Sequence, residues 1–165
     1  MDRLMQPSLF GQTVEEAKVD IERVLTESRQ TDCPCCGQRV KRYERSIYAQ
    51  PAKFLIWLAK AYQRDHRWYD WREEPVRGDG QKGGGDYSKL RFWGLIEHKP
   101  NTDKHNLPQN YSGMWRPTQK GISFAYNKLA IPKYALIYNN KLLGFKGEMV
   151  TITDCLPEYF SFWEL

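Results

Sequence analysis

The chain has 165 residues, a formal net charge of +5, six Trp and ten Tyr. That length suits one domain with an appendage and can bury a core, and so many aromatic residues exclude a disordered chain. The mildly basic balance permits nucleic-acid contact without requiring it, and no apolar run approaches the roughly 20 residues that span a bilayer.

The N-terminus lacks the apolar core of a signal peptide, so a cytoplasmic protein is expected. Three of the four cysteines crowd into Cys33, Cys35 and Cys36. In a reducing compartment that pattern favours metal binding over a disulfide framework.

The first periodic segment is residues 13–29. Thr13 and Glu16 stand three apart as a capping box. Val14, Ala17, Ile21, Val24 and Leu25 recur at helical spacing, with Glu15, Lys18, Glu22 and Arg29 opposite. The spacing predicts an amphipathic helix that packs on the core, or alternatively pairs with a second copy.

Cys33-Pro34-Cys35-Cys36-Gly37 then forms a zinc-knuckle-like turn. Two thiols separated by two residues can face one ion, which makes Cys33 and Cys36 the candidate zinc ligands. A closed site needs four ligands, and the chain has no second Cys-x-x-Cys. Cys155, His66, His98 and His105 are the other candidates within the chain. Two knuckles sharing an ion across a homodimer, or a turn without metal, are the alternatives.

Residues 31–60 hold six Lys/Arg and two Asp/Glu. Arg42 and Arg45, with Tyr43 and Tyr48 among them, form a basic strand able to track a phosphate backbone. Pro51 then opens a helix over 51–62 with a wide apolar face of Phe54, Leu55, Trp57, Leu58, Ala61 and Tyr62. His66–Arg72 is aromatic and charged, and the glycine-dense Gly78–Gly85 reads as a loop.

A short helix over 85–94 follows. Leu90 and Trp93 share a face, Gly94 can take the left-handed terminal conformation, and Leu95 and Ile96 re-enter the core. Residues 98–112 are turn-rich and polar. Met114–Arg116 returns as a strand, and Thr118 caps a helix through Ala125. Tyr134–Tyr138 and Lys141–Phe145 flank Asn139-Asn140 as a hairpin. Another short strand is expected around Val150–Ile152, and residues 154–165 would dock on the body.

The expected class is α+β: a winged helix-turn-helix-like domain with an extra N-terminal helix, a zinc-knuckle-like turn and a C-terminal β-hairpin. Residues 1–50 would carry the first helix, the knuckle and the basic strand, and 51–165 the winged-helix-like domain with its hairpin. The loop 78–85 would replace the second helix of that motif.

Cys33-Pro34-x-Cys36-Gly37-Gln38, Lys41-Arg42-Tyr43-x-Arg45-Ser46, Gly85-Asp86-Tyr87-x-Lys89-Leu90-Arg91-x-Trp93-Gly94-Leu95-Ile96 and Trp115-Arg116-Pro117-Thr118-x-Lys120-Gly121 together resemble a family of small uncharacterised bacteriophage proteins. The resemblance runs from about residue 30 to the C-terminus. The stretch from Gly94-Leu95-Ile96 to Thr118-x-Lys120-Gly121 is also similar to winged-helix transcription regulators. The resemblance implies a phage-encoded protein in the bacterial host cytoplasm and carries over no catalytic residues.

No catalytic constellation is legible, and an enzyme is not expected. The reading of function is a regulatory protein that binds nucleic acid, in the first place duplex DNA. Ser88, Lys89 and Arg91 would sit on the recognition helix, and Arg67, Arg72, Arg77 and Lys82 on phosphates, with Lys99, Lys104 or His105 on the wing. The alternative is a protein-interaction module that inhibits a host enzyme or antiviral defence complex, docking through Trp68, Tyr69 and Trp71. No membrane partner is expected.

Overall fold

In a computed structural model, the structure describes residues 11–70, 73, 84–100 and 113–158. These form a mixed α+β protein with antiparallel sheets. Two compact units share the chain, one of residues 1–46 and 134–147, the other of 47–133 and 148–165.

The first unit begins with α1 (Val14–Glu27). The capping box forms as expected, the Thr13 hydroxyl accepting from the Glu16 N–H and the Glu16 carboxylate accepting from the Thr13 N–H. Ala17, Ile21 and Leu25 are buried, whereas Val14 at the helix start is exposed. Strands β1 (Gln30–Asp32) and β2 (Arg39–Lys41) pair antiparallel across the cysteine turn, Asp32 opposite Arg39. Strand β3 (Tyr43–Ser46) then pairs with β7 (Ile131–Tyr138), Tyr43 opposite Ile137 and Ser46 opposite Tyr134. Strand β8 (Lys141–Val150) follows β7 in the same sheet. Asn139 and Asn140 hold φ of +46° and +61° between them. Two successive left-handed residues make the turn that matches strand twist, and Asn tolerates that conformation.

Two expectations change here. The strand expected near Val150 is the far end of β8, which runs on to Val150 although Gly147 within it takes φ +90°. The hairpin expected as an extension of the 51–165 domain groups largely with the N-terminal segment, because β3 is the neighbour of β7.

The second unit is built on α2 (Ala49–Asp65), longer at both ends than the sequence reading. Phe54, Leu55, Ile56, Leu58, Ala59 and Ala61 are buried. His66 ends the helix in the left-handed region at φ +53°. Then come β4 (Tyr69–Asp70), a 3-10 helix (Gly84–Trp93), β5 (Ile96–His98), β6 (Met114–Pro117) and α3 (Gln119–Ala125). The sheet order is β4-β6-β5, with β6 in the centre. Strand β4 was not legible beforehand, since two residues carry no alternation to read.

The 3-10 form of the 84–93 helix has a pattern behind it. Tyr87, Leu90 and Trp93 recur every three residues and are all buried. Three residues per turn stack them in one row, whereas an α-helix would smear them round its surface. Tyr87 stacks on Phe54 of α2 at 4.3 Å between ring centroids, and the Trp93 indole N–H donates to the Pro132 carbonyl at 2.8 Å. The helix ends as expected at Gly94, φ +70°. Its N–H reaches the Arg91 carbonyl and the Leu95 N–H reaches that of Leu90, closing both bonds of a Schellman motif.

Helix α3 is bolted to that junction. The Thr118 hydroxyl donates to the Gly94 carbonyl at 2.5 Å and accepts from the Gly121 N–H at 3.0 Å, while the Thr118 N–H donates to the Leu95 carbonyl. A Cβ on Gly121 would stand 1.9 Å from the Leu95 carbonyl oxygen. The approach is open only to glycine. Thr118 and Gly121 therefore owe their identities to Gly94 and Leu95.

No helix among the described residues is long and apolar enough to cross a membrane. Residues 78–83 of the expected glycine loop, 101–112 of the expected wing and 159–165 lie outside the described residues.

Candidate nucleic-acid interface and cysteine knuckle

The outer side of the 84–93 helix is polar. Ser88, Lys89 and Arg91 are half-buried and lie off the row that enters the core. The Lys89 ammonium meets the Asp86 carboxylate at 2.5 Å, and the Tyr48 hydroxyl donates to the other oxygen of Asp86 at 2.6 Å. Asp86 thus fixes the start of the helix to the residue before α2 and holds Lys89 in place. The Arg91 guanidinium lies over the Phe92 ring at 4.8 Å. Beside the helix end, the Lys120 stem passes close to Gly94, and Lys120 is exposed. Sequence reading missed Lys120. Its signal was the Thr118-x-x-Gly121 cap, which docks the start of α3 onto Gly94.

The neighbouring sheet carries a second group. Arg116 on β6 pairs with Glu97 on β5 at 2.7 Å and lies over the Trp68 ring at 4.3 Å. Cross-strand register places Arg116 opposite Glu97, so the pair follows from the hairpin. Lys99 is exposed at the end of β5. Lys104 and His105, expected on the wing, are outside the described residues, as are Arg72, Arg77, Lys82 and Trp71.

Two expected contact residues, Arg42 and Tyr69, are placed otherwise. Arg42 is buried, and its guanidinium donates to the Leu25 and Thr26 carbonyls at 2.9 and 2.8 Å and to Glu44 at 3.2 Å. It neutralises the carboxyl-terminal end of α1, whose last turn has no cation of its own. It is therefore not presented to a phosphate. Tyr69 is 1% exposed, and its hydroxyl donates to the Ala61 carbonyl and to Asp65. It is core rather than docking surface, because β4 pairs it against Trp115. Arg67 lies over the Tyr69 ring at 4.0 Å and pairs with Glu73 at 2.7 Å. Those bonds hold the Glu73 carboxyl below the usual carboxylate range and raise the Arg67 guanidinium. Arg67 thus braces the chain after α2 while half of its side chain stays exposed. Arg45 remains exposed, near the Tyr43 ring at 5.4 Å.

Cys33, Cys35 and Cys36 lie in a tight turn between β1 and β2. The Cys33 N–H donates to the Gln38 carbonyl and the Gly37 N–H to the Cys33 carbonyl, both at 2.8 Å. Backbone hydrogen bonding from Cys35 and then Cys36 holds the Cys33 thiol below its ordinary value. Burial and the neighbouring Cys33 charge push Cys35 up. All four cysteines are free thiols, with Cys36 exposed. Among the described residues no group of three or more His, Cys, Asp or Glu side chains is arranged to hold an ion. Cys155 donates to the Thr151 carbonyl, and burial raises its thiol to about 11. His66 packs edge-on against Tyr62, and His98 against Trp115.

Comparison with protein-family models, curated proteins and solved structures finds no match to this chain.

Proposed function

We propose that the second unit is a winged-helix module that binds duplex nucleic acid, with the 84–93 helix as its reading element. One observation carries the reading: helix α2, strand β4, the 84–93 helix and the β5–β6 hairpin follow one another, with strand order β4-β6-β5. That strand order matches the sheet of a winged helix, in which the first strand pairs with the last and the hairpin forms the wing; the second helix of the motif has no counterpart among the described residues. The helix before the hairpin is then the one that enters a major groove.

Side-chain chemistry supports the same face. Lys89 and Arg91 lie on the helix, Lys99 follows β5, which contacts that helix, and Lys120 lies on α3, which Thr118 ties to Gly94 at the helix end. The Lys89–Asp86 pair gives that face a switchable partner: a phosphate competes with the carboxylate for the ammonium. The ten-residue length, about 20 Å at 3-10 rise, spans a groove roughly 12 Å wide.

The test is titration of a fluorescent duplex at several salt concentrations. Affinity should fall steeply with salt, with a log–log slope of roughly −0.9 per phosphate neutralised. Lys89→Ala with Arg91→Ala should weaken binding tenfold or more while the thermal midpoint stays within a few degrees. No binding at low salt, or a flat salt response, would sink the proposal. Capture of a stoichiometric protein from nuclease-treated bacterial lysate, lost in the same double variant, would instead favour the protein-docking alternative.

A further inference from the structure

We propose that Cys33 and Cys36 form half of a four-thiolate zinc site, completed by the same two residues of a second copy of this chain. The argument is independent of nucleic-acid binding.

The scaffold comes first. Strands β1 and β2 hold the turn in fixed register from Gln30–Lys41 to Asp32–Arg39. Two backbone bonds at 2.8 Å close it, one from Cys33 to Gln38 and one from Gly37 back to Cys33. The turn therefore holds Cys33 and Cys36, three positions apart, on a fixed backbone at the end of the hairpin. A backbone set in advance lets two thiols meet one ion without a further ordering cost.

Next comes the ligand count. Tetrahedral zinc takes four ligands, and the Cys-x-x-Cys spacing lets two sulfurs meet one ion. The described residues of one chain gather no third donor around the pair. Cys36 is exposed and Cys33 half-buried, so the pair faces solvent from the tip of a hairpin. A two-fold axis through the ion brings an identical pair from the opposite side, the self-complementary contact of a symmetric dimer. Binding exchanges four S–H protons, released to solvent, for four zinc–sulfur bonds. The resulting centre carries a charge of minus two. Lys41, and Arg39, whose guanidinium also meets Asp32 at 3.5 Å, are exposed on β2 of each copy and carry the opposite charge.

Native mass spectrometry and elemental analysis of the full chain, with zinc chloride added to metal-free protein, provide the test. One zinc per two chains is expected, in a dimer that a chelator returns to monomers. Cobalt in place of zinc should give the strong sulfur-to-metal absorption of four thiolates. Cys33→Ser and Cys36→Ser should each abolish both metal and dimer, whereas Cys35→Ser and Cys155→Ser should keep them. Circular dichroism of the chelated wild type reports whether the fold survives without the ion, so that loss of metal in a variant is separable from unfolding. One zinc per chain in a monomer, no zinc uptake, or loss of the ion in Cys35→Ser equal to that in Cys33→Ser would each overturn the proposal.

Discussion

Arg42 shows how one side chain can be read in two opposite ways. In sequence it belongs to a basic run and looks like a phosphate contact. In the fold its guanidinium donates to the Leu25 and Thr26 carbonyls of α1 and pairs with Glu44, which also meets Lys146 at 3.3 Å. Those contacts hold the Glu44 carboxyl below its ordinary range, first through Arg42 and then through Lys146. Removing Arg42 takes the donor from two carbonyls in the last turn of α1, of which that of Leu25 is buried. Arg42→Met should therefore lower the unfolding free energy by roughly 2–4 kcal/mol, read by urea denaturation. Arg42→Lys should recover only part of it, because an ammonium cannot span two carbonyls and a carboxylate as the planar fork does.

The element that organises the second unit is the 84–93 helix with its exit at Gly94. Its existence, its end and its buried row of Leu90 and Trp93 were legible, since a three-residue spacing followed by Gly-Leu-Ile is a local pattern. Its 3-10 form depends on Tyr87 finding Phe54 to stack on, which is a contact 33 positions away. The same holds for α3. Its cap at Thr118 could be read directly, but the reason for Gly121 could not. Alanine would gain under about 1 kcal/mol of helix propensity there. It would also drive a methyl group into the Leu95 carbonyl, 1.9 Å away. The clash outweighs the gain, so Gly121→Ala should destabilise by about 1–3 kcal/mol, toward the upper end because the obstacle is backbone. Thermal unfolding monitored by Trp93 and Trp115 fluorescence would measure it, and a neutral or stabilising result would show that the close approach relaxes.

At the scale of the whole molecule, the chain closes one unit with segments from both of its halves. Strand β7 pairs with β3 at Tyr134–Ser46 through Ile137–Tyr43. A boundary at residue 50, natural on composition, cuts that ladder. A fragment of residues 51–165 should expose the β7 edge. It should self-associate in size-exclusion chromatography, and the β7 amides that face β3 should lose hydrogen-exchange protection. A monomeric fragment with full protection would show that the ladder contributes little.

What the sequence determined by itself was local: the capping box of Thr13 and Glu16, α2, the stop at Gly94, the Thr118 cap, the Asn139-Asn140 turn and the Cys33–Cys36 turn. Each is settled by hydrogen bonds or apolar spacing within a few residues, so each is written in a short window. Only the tertiary structure decided which cations face outward. Arg42 found carbonyl and carboxylate partners, and Tyr69 found a strand, through pairings whose register no short window contains. A charge lowers its energy wherever a partner is fixed, and the fold, rather than the residue type, determines where the partners stand.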